Sequence, residues 1–177
     1  MRRKDRQVTD RDEILGILER CGTIRIAFRG DEQPYAVPVS FGMEAADGRI
    51  VLYFHCARQG LKVDLARKHP RVCVEGDIFH GIEKTAHGIT ARYESVIGFG
   101  QCSFAEDPDE ILHGMDVLTR HYGYPGYPLD RCAGLEHLLV GKIVLDEITG
   151  KKNLPGSPTP ADRAAQAEGK NKSEECN

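Results

Sequence analysis

A chain of 177 residues, 40% hydrophobic and 29% charged, lies in the globular range and is long enough to bury a core. Its formal net charge of −3 offers no global positive field to nucleic acid or an anionic membrane, and no apolar run approaches the roughly 20 residues of a membrane span. Neither a nucleic-acid nor a membrane partner is expected; one domain over residues 1–152 is, followed by a compositionally distinct tail over residues 153–177.

The start, MRRKDRQVTD, carries charges with no apolar stretch behind them, so no secretory signal is expected and a cytoplasmic setting is. Thr9 and Asp10 can cap a first helix, with Asp12 near its positive end and Ile14, Ile17, Leu18 and Cys21 at helical spacing. Gly22 stops it. Thr23 to Phe28 is β-branched and apolar, a strand, and Gly30-Asp31-Glu32 turns the chain. Pro34 to Phe41 alternates: Tyr35, Val37, Val39 and Phe41 face one way, while Ala36, Pro38, Ser40 and Gly42 make a face of small residues. Ala46-Asp47-Gly48 reads as a hairpin turn, and Ile50 to His55 as the next strand, expected beside that small face.

Residues 58–69 suggest a short helix with Leu61 and Leu65 on one face, ended by Pro70. Arg71 to Ile78 reads as a strand, and polar, glycine-containing His80 to Thr90 as a loop. Ala91 to Phe104 is a long strand in which Gly98 and Gly100 permit bending or close approach. Asp107 caps a third helix with Pro108 at its first position, its buried stripe being Ile111, Met115, Leu118 and Tyr122. Residues 123–128 form a rigid GYPGYP loop, and His137 to Ile148 a last strand. From Asn153 on, prolines and polar residues cannot offset their ordering entropy, so a disordered tail is expected. Six strands and three short helices without βαβ repetition predict a mainly β fold, an antiparallel barrel with peripheral helices. The six cysteines (Cys21, Cys56, Cys73, Cys102, Cys132, Cys176) form no CxxC pair, so free thiols are expected, with no disulfide framework and no metal site.

The stretch YFHCARQGLK, residues 53–62, joins a strand to a helix. A helix beginning near Arg58 would present unpaired N–H groups to an anion. Ala57 keeps bulk away, Gly60 lets a ligand approach the backbone, Arg58 can grip a phosphate with its fork, and Lys62 adds a point charge. His55 can donate a hydrogen bond or stack on a ring. The alternative is an ordinary junction with surface cations and a histidine satisfied by backbone. The small face with Pro38, Ser40 and Gly42 adds a surface for a flat ligand. The segment YESVIG, residues 93–98, interrupts an apolar strand with Ser95 and Gly98 and is equally a bend in a barrel.

In this order the chain carries MRRKDR.VTD, PYAVPVSFG (34–42), LYFHCARQGLKVDLARKHPRVCV (52–74), YESVIGFG (93–100), RHYGY (120–124) and VLDEITGKK (144–152). It thereby resembles the pyridoxamine 5′-phosphate oxidase-like, FMN-binding split-barrel superfamily, and within it the nitroimidazole-resistance (Nim-type) branch. The resemblance implies a six-stranded split β-barrel that pairs into a homodimer with the flavin, FMN or alternatively FAD, at the subunit interface. It implies that the flavin phosphate sits at His55, Cys56, Ala57, Arg58, Gly60 and Lys62, and that the ring lies along Pro38, Val39, Ser40 and Phe41. Ser95 and Val96 would lie near the flavin from the partner chain, and Lys151 would close the site. The chain departs from the pattern at Cys56, where glycine is usual, and at Met43, where an aromatic is common.

The function that follows is an FMN-dependent oxidoreductase passing electrons to a small planar acceptor such as a nitroimidazole or another nitro-aromatic. His55 is its one proton-transfer candidate, because the ordinary imidazole pKa lies near working pH. Two other functions are compatible with the same fold: a flavin-binding carrier or redox sensor without turnover, and a haem-binding or haem-degrading split barrel. Oxidation of a pyridoxine-type vitamer lacks the basic pocket its phosphate would need.

Overall fold

The computed structural model describes residues 3–46, 48–86, 88–129 and 134–156. After a short 3-10 turn (Lys4–Arg6), the chain runs through β1 (Gln7–Val8), α1 (Arg11–Arg20), β2 (Ile24–Phe28), β3 (Tyr35–Val39), β4 (Gly42–Ala46), β5 (Arg49–Ala57), α2 (Leu61–Lys68), β6 (Arg71–Thr85), β7 (Gly88–Phe104), α3 (Pro108–His121), a second 3-10 turn (Leu135–His137) and β8 (Leu138–Asn153). The eight strands form one antiparallel sheet in the order β3-β2-β6-β7-β8-β5-β4, with β1 added to β8. The mainly β fold with three helices is as expected; the count of six strands is not, and the sheet is not closed by hydrogen bonds. Its two edges, β3 and β4, are consecutive in the chain and joined only through Ser40 and Phe41.

That joint corrects the reading of Pro34 to Phe41 as one strand beside β5. Tyr35–Val39 pairs with β2, and Gly42–Ala46 with β5, so the segment is shared between opposite edges. The expected alternation survives: Val39 and Phe41 are buried while Ala36, Pro38 and Ser40 are exposed. Gly42 leaves the small face. It is buried against α3, and a Cβ there would stand 2.4 Å from the Val117 carbonyl oxygen.

His80 to Thr90 is no loop. β6 and β7 continue through it as a hairpin, pairing Gly81 with Arg92 and Thr85 with Gly88, with a bulge between Phe79 and Gly81. Its apolar side chains Ile82 and Ile89 face solvent, so the segment lacks the buried alternation that marks a strand. β8 likewise runs past Ile148 to Asn153, which is buried and donates to Thr90 Oγ1 and the Ala91 carbonyl, so the tail's expected start lies inside the sheet. Leu154 of the expected tail still accepts from Arg92 through its carbonyl, and residues 157–177 lie outside the described residues, as do Cys132 and Cys176. Cys21, Cys56, Cys73 and Cys102 are free thiols.

β5 explains how α3 is held. Ile50 to Phe54 is buried without a break. Ile50, Leu52 and Phe54 point into the main core with Ile17, Ile24, Ile26, Phe28 and Ile143, while Val51 and Tyr53 point into a second cluster with Met115, Val117 and Val140. A strand covered on both faces is apolar throughout rather than alternating. Asp107 caps α3 by accepting from the Asp109 and Glu110 N–H groups, and Pro108 opens it, as its sequence predicts. Tyr122 is not part of the buried stripe; it lies past the helix end, with its hydroxyl donating to the Gly22 carbonyl and accepting from the Phe41 N–H. Asp10 caps α1 through the Glu13 N–H. The glycines of β7 serve close approach: a Cβ on Gly100 would meet the Val144 carbonyl oxygen at 2.3 Å.

Candidate functional site

β5 ends at Ala57, and its last residues lie beside the start of β8: His55 faces Val140, Cys56 faces Leu139 and Ala57 faces Leu138. The period of two turns Cys56 into the core and leaves His55 and Ala57 outside. Arg58, Gln59 and Gly60 then bend the chain into α2, which starts at Leu61, three residues later than the sequence suggests. Gly60 takes φ +135° and ψ 163° as the N-cap, with no side-chain cap, and a Cβ on it would meet nothing within 4 Å. Val63 and Asp64 N–H donate to the Gly60 carbonyl; the N–H groups of Leu61 and Lys62 stand before the first intrahelical bonds. Bare backbone thus faces open space at the positive end of a helix. Leu61 is 55% exposed, so the buried face of α2 is Val63, Leu65 and Ala66 instead of Leu61 and Leu65.

Two cations flank this bend. Arg58 Nε donates to the Glu136 carbonyl at 2.7 Å, and Lys62 stands in the first helical turn. Loss of hydration, and secondarily the Lys62 charge, hold the His55 imidazole below its ordinary pKa of 6.5, so it is neutral at pH 7. Burial pushes the Cys56 thiol up, with Lys62 pulling against it, which makes Cys56 a packed thiol and no nucleophile. The residues therefore suit a phosphate: an anchored guanidinium, a lysine in the first helical turn, N–H groups with no intrahelical partner, a neutral imidazole and no side chain over Gly60.

A cavity of about 220 Å³ lies between the turn after β2 and the start of α2, lined by Gly30, Asp31, Glu32, Gln33, Tyr35, Leu61 and Leu65. It brings the first residue of β3 alongside the bend. Farther along β3, Pro38 and Ser40 are exposed, whereas Val39 and Phe41 turn their side chains into the core and offer a ligand only their backbone. Val96 is buried in the same way.

Ser95 and Lys151 form a separate group. They face each other across β7 and β8. Lys151 is eleven residues along β8 from Val140, the partner of His55, which is about 36 Å of strand at ~3.3 Å per residue. Within one chain the structure joins His55, Cys56, Ala57, Arg58, Gly60 and Lys62 into one corner and sets Ser95 and Lys151 well away from it.

Sequence reading missed three constellations. Glu94, 5% exposed, accepts from Arg20 at 2.6 Å and bonds His80 Nε2 at 2.9 Å; burial alone would raise its pKa, but these two partners hold it below the ordinary carboxylate range. Tyr122 bridges Gly22 and Phe41. Arg6 donates to Tyr93 beside Lys151. Apart from His80 and Glu94, 14 positions apart across the β6–β7 hairpin, the bonded partners are 74 to 100 positions apart, so only the last had any signal, the charged start itself.

With this geometry in hand, comparison with known proteins adds the following. A crystal structure of a proposed 5-nitroimidazole antibiotic resistance protein from Bacteroides thetaiotaomicron is 26% identical, with a TM-score of 0.72 over 82% of this chain and 85% of that one. An FAD and heme binding protein from Mycobacterium smegmatis is 22% identical, with a TM-score of 0.71 over 92% and 80%. An FAD-binding protein from Mesorhizobium loti is 23% identical, with a TM-score of 0.60 over 84% and 97%. An uncharacterised Rhizobium meliloti protein is 24% identical over 157 residues, 85% of this chain and 97% of its own. Residues 10–152 match the pyridoxamine 5′-phosphate oxidase family as a whole, and the chain belongs to that family.

Proposed function

We propose that the protein binds a flavin nucleotide, FMN or alternatively FAD, and passes electrons to a small planar acceptor such as a nitroimidazole or another nitro-aromatic. The observation that carries this reading is the bend at Arg58–Gly60, where two cations and the first N–H groups of α2, without a partner among the described residues, surround backbone left bare by a glycine at positive φ. The Bacteroides neighbour named for 5-nitroimidazole resistance and the neighbours named as FAD-binding proteins support the same reading.

Bound at this corner, a flavin supplies the electron transfer. Lys62, Arg58 and the first N–H groups of α2 hold its phosphate, while exposed Pro38 and Ser40 leave a flat surface free of bulk for its ring. His55, neutral at pH 7, accepts or donates one hydrogen bond at the cofactor's edge and is the group placed to move a proton. Cys56 backs the pocket from the core side. A second copy of the chain completes the site: Ile97 and Phe99, 44% and 40% exposed, lie on the same outer face as Ser95 and Lys151, and covering that apolar strip in a homodimer brings Ser95 and Lys151 to the partner's flavin. Free thiols among the described cysteines suit a cytoplasmic setting.

The absorbance spectrum of the purified protein, before and after addition of FMN or FAD, tests the proposal. Flavin bands that stay with the protein through gel filtration are expected. Protein that is colourless and takes up neither nucleotide overturns it, and a Soret band in place of flavin bands gives the site to haem.

A further inference from the structure

We propose that Arg6, Tyr93 and Lys151 form a seat for the oxyanion of a small aromatic acid on the outer face of the sheet; resting on the flavin reading above, this makes the acceptor an anionic one. Lys151 faces Gln7 of β1 on one side and Ser95 of β7 on the other, so the three side chains form a row across three strands. Tyr93 lies two residues from Ser95 on the same face. Arg6 Nη1 donates to Tyr93 Oη at 3.4 Å, and Lys151 Nζ lies 5.5 Å from the centre of the Tyr93 ring. Two cations therefore converge on one phenol.

The nearby carboxylates are shared with other cations. Asp5 Oδ2 pairs with Arg6 Nε at 4.0 Å, while Arg3 holds both Asp5 oxygens more closely, at 2.8 to 3.2 Å. Asp77, across from Ser95 on β6, is held by Arg25 at 2.5 Å together with Glu75. Among the described residues, Arg6 Nε is buried without a hydrogen-bond partner, its one ion pair being the 4.0 Å approach of Asp5. A guanidinium N–H shut away from water without an acceptor is unfavourable, and a ligand oxygen beside it removes that penalty. The positive potential registers on Tyr93: burial raises its pKa, yet Arg6 and Lys151 together bring it below the ordinary phenol value. Ile97, the nearer of the two apolar residues along β7, stands at the rim of the strip that the second copy covers, so a ring whose acid group points at the cations lies between that rim and the seat. The pattern is a planar, singly or doubly negative ligand held by charge-assisted bonds at one end and by contact along its body.

Calorimetric titration of the full chain with benzoate, phenyl phosphate and benzamide tests this, with and without added flavin. The acids are expected to bind at least roughly tenfold more tightly than the neutral amide, the size of one charge-assisted hydrogen bond. Whichever of benzoate and phenyl phosphate binds better identifies the group as carboxylate or phosphate. Arg6→Gln combined with Lys151→Gln should erase the preference, the single change at partly buried Lys151, Lys151→Gln, should reduce it, and Tyr93→Phe should weaken both acids while circular dichroism stays native. The proposal is overturned by equal binding of acid and amide, by no binding of either acid, by a preference that survives the double variant, or by flavin displacing benzoate competitively, which would give the cations to the cofactor. A chain that takes up no flavin yet keeps the preference leaves the seat standing and removes only the flavin reading; one that holds flavin without the preference does the reverse.

Discussion

Arg58 Nε donates to the carbonyl of Glu136 at 2.7 Å and so ties the bend after β5 to the turn before β8. One edge of the guanidinium is spent on the protein itself, which fixes its plane and leaves the outer nitrogens for a ligand. Replacing Arg58 by Lys keeps the charge and loses this anchor. We expect Arg58→Lys, Arg58→Ala and Lys62→Ala each to weaken flavin binding by about 1.5–3 kcal/mol, the worth of a hydrogen bond to a charged group. Quenching of flavin fluorescence on titration measures it; affinity unchanged in all three variants would place the phosphate elsewhere.

Two glycines of the site region should fail differently. Gly60→Ala puts a side chain at φ +135° in open space, so it should cost about 1–3 kcal/mol of backbone strain and also release flavin. Gly42→Ala drives a Cβ to 2.4 Å from the Val117 carbonyl oxygen and 2.5 Å from Leu118 Cα, so α3 must move and overpacking should cost about 1–3 kcal/mol or more. Urea midpoints of the two variants, compared with their flavin affinities, separate a ligand glycine from a packing glycine.

His55 predicts a pH dependence of fixed sign. Its folded pKa lies below 6.5, so between 6.5 and that lower value the unfolded chain binds more protons than the folded one. The stability linked to His55 is present in full above pH 6.5 and is lost as pH falls through the folded value. His55→Gln should flatten this part of the stability profile, measured by urea denaturation from pH 7 down to pH 5; a slope that persists in the variant assigns it to other groups.

Glu94 carries the largest expected penalty. Glu94→Gln strands Arg20 and His80 at a site 5% exposed, and breaking a buried ion pair from one side typically costs about 3–5 kcal/mol. Arg20 is half exposed and can regain water, which pulls the expected loss toward the lower end. Thermal melting followed by circular dichroism reads this; a change below about 1 kcal/mol would mean the cluster is solvated.

The outer face of β7 should govern assembly. Ile97→Asp with Phe99→Asp places two charges on an apolar strip without disturbing the core behind it, where Val96 and Gly98 point. Sedimentation should show the wild-type chain as a dimer and this variant as a monomer, with flavin lost alongside. A variant that sediments with the wild type would mean the strip is not the interface.

What was legible along the chain was local. Asp10 and Asp107 announce their helices because a capping carboxylate and the N–H groups it accepts lie within three residues. The strand–glycine–cation order of residues 53–62 could be seen as an anion corner because every part of it is contiguous. The β6–β7 hairpin was not legible: its polar residues and exposed Ile82 and Ile89 follow no buried period, and it is a strand only because the neighbouring ladder extends into it.

The sequence alone thus determined the starts of α1 and α3, the inward alternation of β3, the glycine at Gly60 and the charge of the corner, since these depend on residues a turn or two apart. Only the tertiary structure decided that residues 35–46 divide between two sheet edges at Ser40–Phe41, that Ser95 and Lys151 lie far from His55 within one chain, and that Arg6 and Lys151 meet at Tyr93. Those relations join positions tens of residues apart, and strand register, which shifts every side chain to the opposite face when it slips by one, is set by the pairing of whole strands rather than by any stretch of them.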